Sequence, residues 1–236
     1  MTTAVIIQSN YIPWKGCFDL IALSDVLIIY DDVQYTKRDW RNRNLIKTTQ
    51  GTKWLTIPVT ASGRFSQLIN EVETNDDRWA KRHWLSITRA YGKAPAYKDY
   101  AETFEGIYSA LAKERHLSVI NRTFIDAICD MLGIKSDIRR SQDIVPASGQ
   151  GKTQRLVELC HAVGASRYVS GPSAADYLET EAFEHAGIRL DFMDYADYRA
   201  YPQLHGEFIH NVSIIDLILN VGEDAKRYMK FSCEMP

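Results

Sequence analysis

No apolar run in this 236-residue chain approaches the ~18 residues that a membrane-spanning helix needs. The N-terminus also has no charged segment leading into an apolar one. Both absences lead to the expectation of a soluble, cytoplasmic protein with no membrane partner. Cysteine is scarce. Cys17, Cys129, Cys160 and Cys233 show no C-x-x-C spacing, three of them in or beside helical patterns and one near the terminus. Reduced, buried thiols are expected rather than a disulfide frame. An excess of either charge is missing too: 28 basic residues stand against 30 acidic ones, a net charge of −2. That balance excludes bulk nucleic-acid binding and makes any basic cluster a local feature. No repeat of fixed period and no low-complexity stretch occurs.

Chemical signatures are absent as well. A G-x-x-x-x-G-K-[ST] phosphate loop ending in Gly151-Lys152-Thr153 would need glycine where the chain has Pro146. What survives there is a helix N-terminus able to accept an anion. Ser170-Gly171-Pro172-Ser173 is not the G-x-S-x-G of a hydrolase elbow. His205 and His210 lie five apart without H-E-x-x-H, so no metal site is expected.

What is present begins at the N-terminus. An apolar run, Ala4 to Ile7, ends in Gln8-Ser9-Asn10-Tyr11-Ile12-Pro13-Trp14. A helical pattern with Phe18, Leu20, Ile21 and Leu23 follows, then a second apolar run, Val26 to Ile29, ending in Tyr30-Asp31-Asp32. The C-terminal half repeats this rhythm: a helix from Lys152, a strand at Arg167-Tyr168-Val169, a helix to His185 and a strand at 188–193. Alternation of this kind predicts an α/β fold with a mostly parallel sheet and flanking helices. Between the halves, Asn44–Lys47 and Trp54–Val59 read as a hairpin and Leu68–Val72 as one more short strand. Residues 76–135 read as helical, an insertion or small helical subdomain within one domain spanning 1–236.

Sites in open parallel sheets lie beyond the carboxyl ends of strands, beside a switch in strand order. The polar and ring residues past the first strand, Gln8, Asn10, Tyr11 and Trp14, are therefore expected to bind substrate. Lys37, Arg38, Asn42 and Arg43, in a run that also holds Arg41, are expected to hold phosphate or carboxylate through charge-assisted contacts. Ser170 and Gly171, between a strand and a helix, form the expected second edge of the site. Asp31 and Asp32, adjacent on an extended strand, should point to opposite faces. Asp32 and His205 are the expected proton acceptors. Cys17 lies near the presumed site, but nucleophilic work would require a lowered pKa.

The segment Q-S-N-Y-I-P-W-K-G, together with D-D-V-Q-Y-T-K-R-D-W-R-N-R-N-L-I-K, resembles the WbqC-like protein family. Tyr168-Val169-Ser170-Gly171-Pro172 and FIHNVSIIDLILNVG, 208–222, carry the resemblance over nearly the whole chain. That family usually has an aromatic residue after the P-W-x-G glycine, where this chain has Cys17. The resemblance implies a place in O-antigen or other surface-polysaccharide gene sets, where amino sugars receive acyl or aminoacyl groups. The implied activity is a transferase acting on an amino-sugar nucleotide. It would need no cofactor beyond an activated donor such as a pantetheine thioester, which an acyl carrier protein could present. A looser architectural similarity to the nucleotidylyltransferase superfamily comes without its H-x-G-H histidines, since Trp14-Lys15-Gly16-Cys17 stands in the comparable place. Two alternatives stay open. One is a nucleotidyl-transferring or adenylate-forming enzyme, and the other is a non-catalytic module that binds a nucleotide sugar or carrier.

Overall fold

The computed structural model describes residues 1–146 and 151–231. Its centre is a five-stranded parallel sheet: β1 (Thr3–Ile7), β2 (Val26–Ile29), β5 (Asp137–Arg140), β6 (Arg167–Ser170) and β7 (Arg189–Phe192), in the order β5-β2-β1-β6-β7. The chain starts in the middle strand and builds outward through β2 to β5. It then returns to the other side of β1 for β6 and β7. This is the Rossmann-like arrangement, and its switch in direction falls between β1 and β6.

From Ala4 to Ile7 in β1 and throughout β2 the strands are apolar because both faces are covered. Val5, Leu27 and Ile29 enter one core, with α1 (Lys15–Ala22), α2 (Trp79–Tyr91), α4 (Leu117–Leu132) and α8 (Ile214–Val221). Ala4, Ile6, Val26 and Ile28 enter the other, with α6 (Lys152–Ala162) and α7 (Thr180–His185). The period of two along each strand sorts neighbouring residues to opposite layers.

The expected hairpin forms as β3 (Arg43–Thr48) and β4 (Gly51–Thr56), antiparallel, with Leu45 opposite Trp54. The helical segment resolves into α2, α3 (Tyr97–Ala110) and α4, and the αL conformation of Gly133 ends α4. Residues 68–72 are not a strand. Ile69–Glu71 is a 3-10 turn, because Glu71 turns back to accept the Leu68 N–H at 2.9 Å, and only an isolated bridge joins Leu68 to Gln34. After β5 the chain folds at once into the short α5 (Ser141–Ile144). Among the described residues no helix is long and apolar enough to cross a membrane. Cys17, Cys129 and Cys160 are buried free thiols, and Cys233 lies outside the described residues.

Candidate functional site

A cleft of about 660 Å³ opens beyond the carboxyl ends of β1 and β6, at the switch in strand order. Gln8, Asn10 and Trp14 line it from the β1 side, and Ser170, Gly171 and Ser173 from the β6 side. The Gln8 and Ser170 loops thus share one sheet edge. Tyr30, Arg41, Lys152, Tyr177 and Tyr195 complete the polar and aromatic lining.

The loop after β1 is held in a conformation it would not choose. Ile12 has φ +39°, an outlier for a β-branched residue, and Pro13 after it ordinarily drives the preceding residue to extended backbone. The surroundings over-determine it. Asn44 in β3 donates through Nδ2 to the carbonyls of Tyr11 (3.1 Å) and Ile12 (2.9 Å), while its Oδ1 accepts from the Leu45 N–H. The Ile214 N–H at the start of α8 donates to Pro13 O at 2.9 Å. The result is a rigid shelf carrying Asn10 and Trp14. Trp14 lies edge to face with Tyr195 and Tyr198, centroids 5.1 and 5.6 Å away. Gly16 leaves room for the indole, since a Cβ there would fall 2.6 Å from Trp14 Cη2.

The more buried of the two cations lining the cleft is Arg41, whose guanidinium donates to Asn10 Oδ1 and pairs with Asp39 at 3.6 Å. Burial lowers its pKa, and attraction from Asp39 and Asp31 works against that. Asp31 accepts from the Ser9 N–H (2.8 Å) and Ser9 Oγ (2.7 Å), and Asn121 in α4 donates to Ser9 Oγ and to Arg41 O. Burial raises the Asp31 pKa in spite of the Ser9 hydrogen bonds. This network joins the β1 loop, the end of β2 and the Arg41 loop. Across the cleft, exposed Lys152 begins α6, and a cation at a helix start suits an anionic ligand. The Gly149 and Gln150 part of that segment lies outside the described residues. Cys17 lines the cleft, but burial pushes its thiol up to about 12, only partly offset by Arg41. It is protonated at neutral pH and is no nucleophile.

Several expected site residues stand elsewhere. Tyr11 is fully buried, its hydroxyl bonded to His83 Nδ1 (2.8 Å) and Tyr108 OH (2.7 Å). It braces the helical layer and does not reach the cleft. Asn42 donates to Ile57 O at 2.8 Å and extends the hairpin. Arg43 lies over the Trp54 ring, 4.2 Å from its centroid, and donates to Arg38 O. Lys37 and Arg38 are exposed and line no part of the cleft. Asp32 does point away from Asp31, but into an ion pair with Arg155 (3.2 Å) and a hydrogen bond from Ser141 Oγ. Its oxygens are committed to structure. His205 bonds through Nε2 to Ala90 O at 2.7 Å, at the end of α2 and off the cleft. The cleft does hold Gln8, Asn10, Trp14, Ser170 and Gly171, while Arg41 occupies the place expected of Arg38 and Arg43. Tyr30 and Tyr195 enter it without any signal of period or motif. Lys152 had one, the helix start after Gly151.

Comparison with known proteins covers nearly the whole chain. The model of the WbqC-like protein family matches residues 8–228. "Uncharacterized protein Rv1507c" of Mycobacterium tuberculosis (strain ATCC 25618 / H37Rv) is 47% identical over 233 residues, covering 98% of this chain and 99% of the relative. No solved structure gives a significant match. With residues 8–228 matched, a span that includes both loops of the cleft, the chain belongs to the WbqC-like protein family.

Proposed function

We propose that the cleft binds an amino-sugar nucleotide and that the protein transfers an acyl or aminoacyl group to its amine, as a step in surface-polysaccharide synthesis. The observation that supports this best is the convergence at one sheet edge of Arg41, Lys152 and the Ser170–Ser173 turn with the amides of Gln8 and Asn10 and the ring of Trp14. Cations and a helix start suit a diphosphate, and amides and an indole suit the neutral remainder of the ligand. An activated thioester supplies the acyl group. The amine nitrogen forms the new bond to the carbonyl carbon, the C–S bond breaks, the thiolate leaves, and the amine proton passes to solvent. Cys17, protonated and buried, takes no part.

The described residues lining the cleft include no aspartate, glutamate or histidine. The acceptor amine therefore attacks in its own neutral form, and the rate follows deprotonation of an amine of pKa about 8. The same observation favours a second reading, a non-catalytic module that binds the nucleotide sugar for a partner enzyme.

Two measurements test the proposal. Calorimetric titration with nucleoside diphosphates should show binding that Arg41→Ala and Lys152→Ala each weaken by about 1.5–3 kcal/mol, with little change in Tm for Lys152→Ala. Supplied with an acyl thioester and an amino-sugar nucleotide, the protein should form the amide in the presence of EDTA and show no ATP–pyrophosphate exchange. Binding without turnover across a panel of thioesters would select the module, and ATP-dependent exchange abolished by EDTA would overturn both readings.

A further inference from the structure

Beside the cleft lies a smaller cavity of about 280 Å³, lined by Asn10, Pro13, Trp14, Trp40, Asn44 and Asn211. Asn10 and Trp14 line both spaces, so the two share a wall. The contrast between them is chemical. The cleft presents Arg41 and Lys152, whereas none of the six side chains around the smaller cavity is charged. Its volume falls below the ~300–1,000 Å³ typical of drug-sized ligands, which leaves room for one small ring.

Trp40 is held in place while remaining 42% exposed. Its backbone N–H donates to Asp39 Oδ1 at 2.7 Å, its backbone carbonyl accepts from the Tyr11 N–H at 3.1 Å, and its ring lies 5.3 Å from that of Trp54, over which Arg43 is spread. An indole fixed at the surface without being buried is a platform awaiting a flat apolar partner. The amides around it are not equivalent. Asn44 is fully occupied with backbone partners and serves only as wall. Asn10 has its Oδ1 taken by Arg41, which leaves Nδ2 as a donor. Asn211 is exposed. A nucleobase edge or a peptide-like amide asks for a donor and an acceptor side by side, and Arg41 already sits on the Asn10 acceptor. A sugar hydroxyl accepts from a lone donor, and a pyranose also has a C–H face to lay on an indole.

We propose that this cavity is a saccharide subsite that takes one sugar ring against Trp40, its amine in the neutral form, with a hydroxyl bonded to Asn10 Nδ2. The proposal rests on the preceding reading in one respect, that the phosphates attached to this sugar lie in the adjoining cleft. The test uses the Trp40 indole N–H signal in nitrogen-15 spectra and titrations with three probe sets: methyl glycosides, nucleoside diphosphates with and without their sugars, and free pantetheine. At least one methyl glycoside should shift the Trp40 signal. A nucleoside-diphosphate sugar should bind about three- to tenfold more tightly than its bare diphosphate. Trp40→Ala should remove that gain and leave the affinity for the bare diphosphate unchanged. If no glycoside, free or attached, moves the Trp40 signal, or if pantetheine alone moves it, the subsite is overturned. Equal weakening of bare and sugar-bearing diphosphates by Trp40→Ala would overturn it also. Failure of the bare diphosphate to bind, with glycosides still shifting Trp40, would refute the phosphate cleft and leave the subsite standing.

Discussion

Replacing Gly16 by alanine should separate the helix from the ring that depends on it. Gly16 lies in the first turn of α1, and in an ordinary helix the change to alanine stabilises by about 0.8–1 kcal/mol. Here the new methyl would fall 2.6 Å from Cη2 and 2.8 Å from Cε2 of Trp14, and nearer still to Cζ2. The helix cannot yield, because Cys17, Phe18, Leu20 and Ile21 fix it in the core. The indole must swing away and lose its edge-to-face contacts with Tyr195 and Tyr198. At about 0.5–1.5 kcal/mol per contact the loss is about 1–3 kcal/mol, so Gly16→Ala should destabilise by about 0–2 kcal/mol net. In a Trp14→Ala background the obstacle is gone and the same substitution should stabilise by about 1 kcal/mol. Urea unfolding of the wild type, the two single variants and the double variant measures all four corners of the cycle. Gly16→Ala should also weaken any ligand that touches Trp14. Equal effects of the substitution in both backgrounds would show that glycine and indole are independent, and the account of the P-W-K-G segment would fail.

Tyr11→Phe should cost about 2–3 kcal/mol in chemical denaturation, because it leaves His83 Nδ1 and the Tyr108 hydroxyl without their buried partner, while ligand affinity holds. A loss of affinity at unchanged stability would return Tyr11 to the site. His83 has its pKa lowered from 6.5 to about 4 by burial, partly opposed by its bond to Thr56 O. The unfolded chain therefore binds the extra proton first. The contribution of neutral His83 is whole above about pH 6.5 and is lost as pH falls toward 4, by up to about 3 kcal/mol. Asp19, Asp31 and Asp216, whose pKa values burial raises, act in the opposite sense. The telling quantity is thus the difference in pH-dependence of stability between the wild type and His83→Gln, and parallel curves from pH 7 to 4.5 would count against a buried neutral imidazole.

Local pattern carried the fold a long way. The apolar runs at 4–7 and 26–29, ended by polar residues and separated by a 3.6-period segment, were enough for a parallel sheet, because only strands covered on both faces read that way. The polar residues massed after β1 and β6 lie beyond strand ends, which is where the cleft opens. Gln8, Asn10, Trp14, Ser170 and Gly171 were legible for that reason. Residue type could not decide which members of a polar cluster face outward from the sheet edge. Tyr11 and Trp14 are both rings in one loop, yet the positive φ of Ile12 and the Asn44 clamp turn Tyr11 into the core and leave Trp14 at the cleft. Arg41 and Arg43 are equivalent in sequence, but Asn42 joins the hairpin between them. Arg43 is carried onto Trp54, while Arg41 stays against Asn10. Asp32 and His205 are instead engaged by Arg155 and Ala90, 123 and 115 residues away, pairings that no local pattern reveals. Short-range periodicity determined the first two strands of the sheet and where they end. Which side chains face the cleft was decided by partners far along the chain, and only the folded packing brings those together.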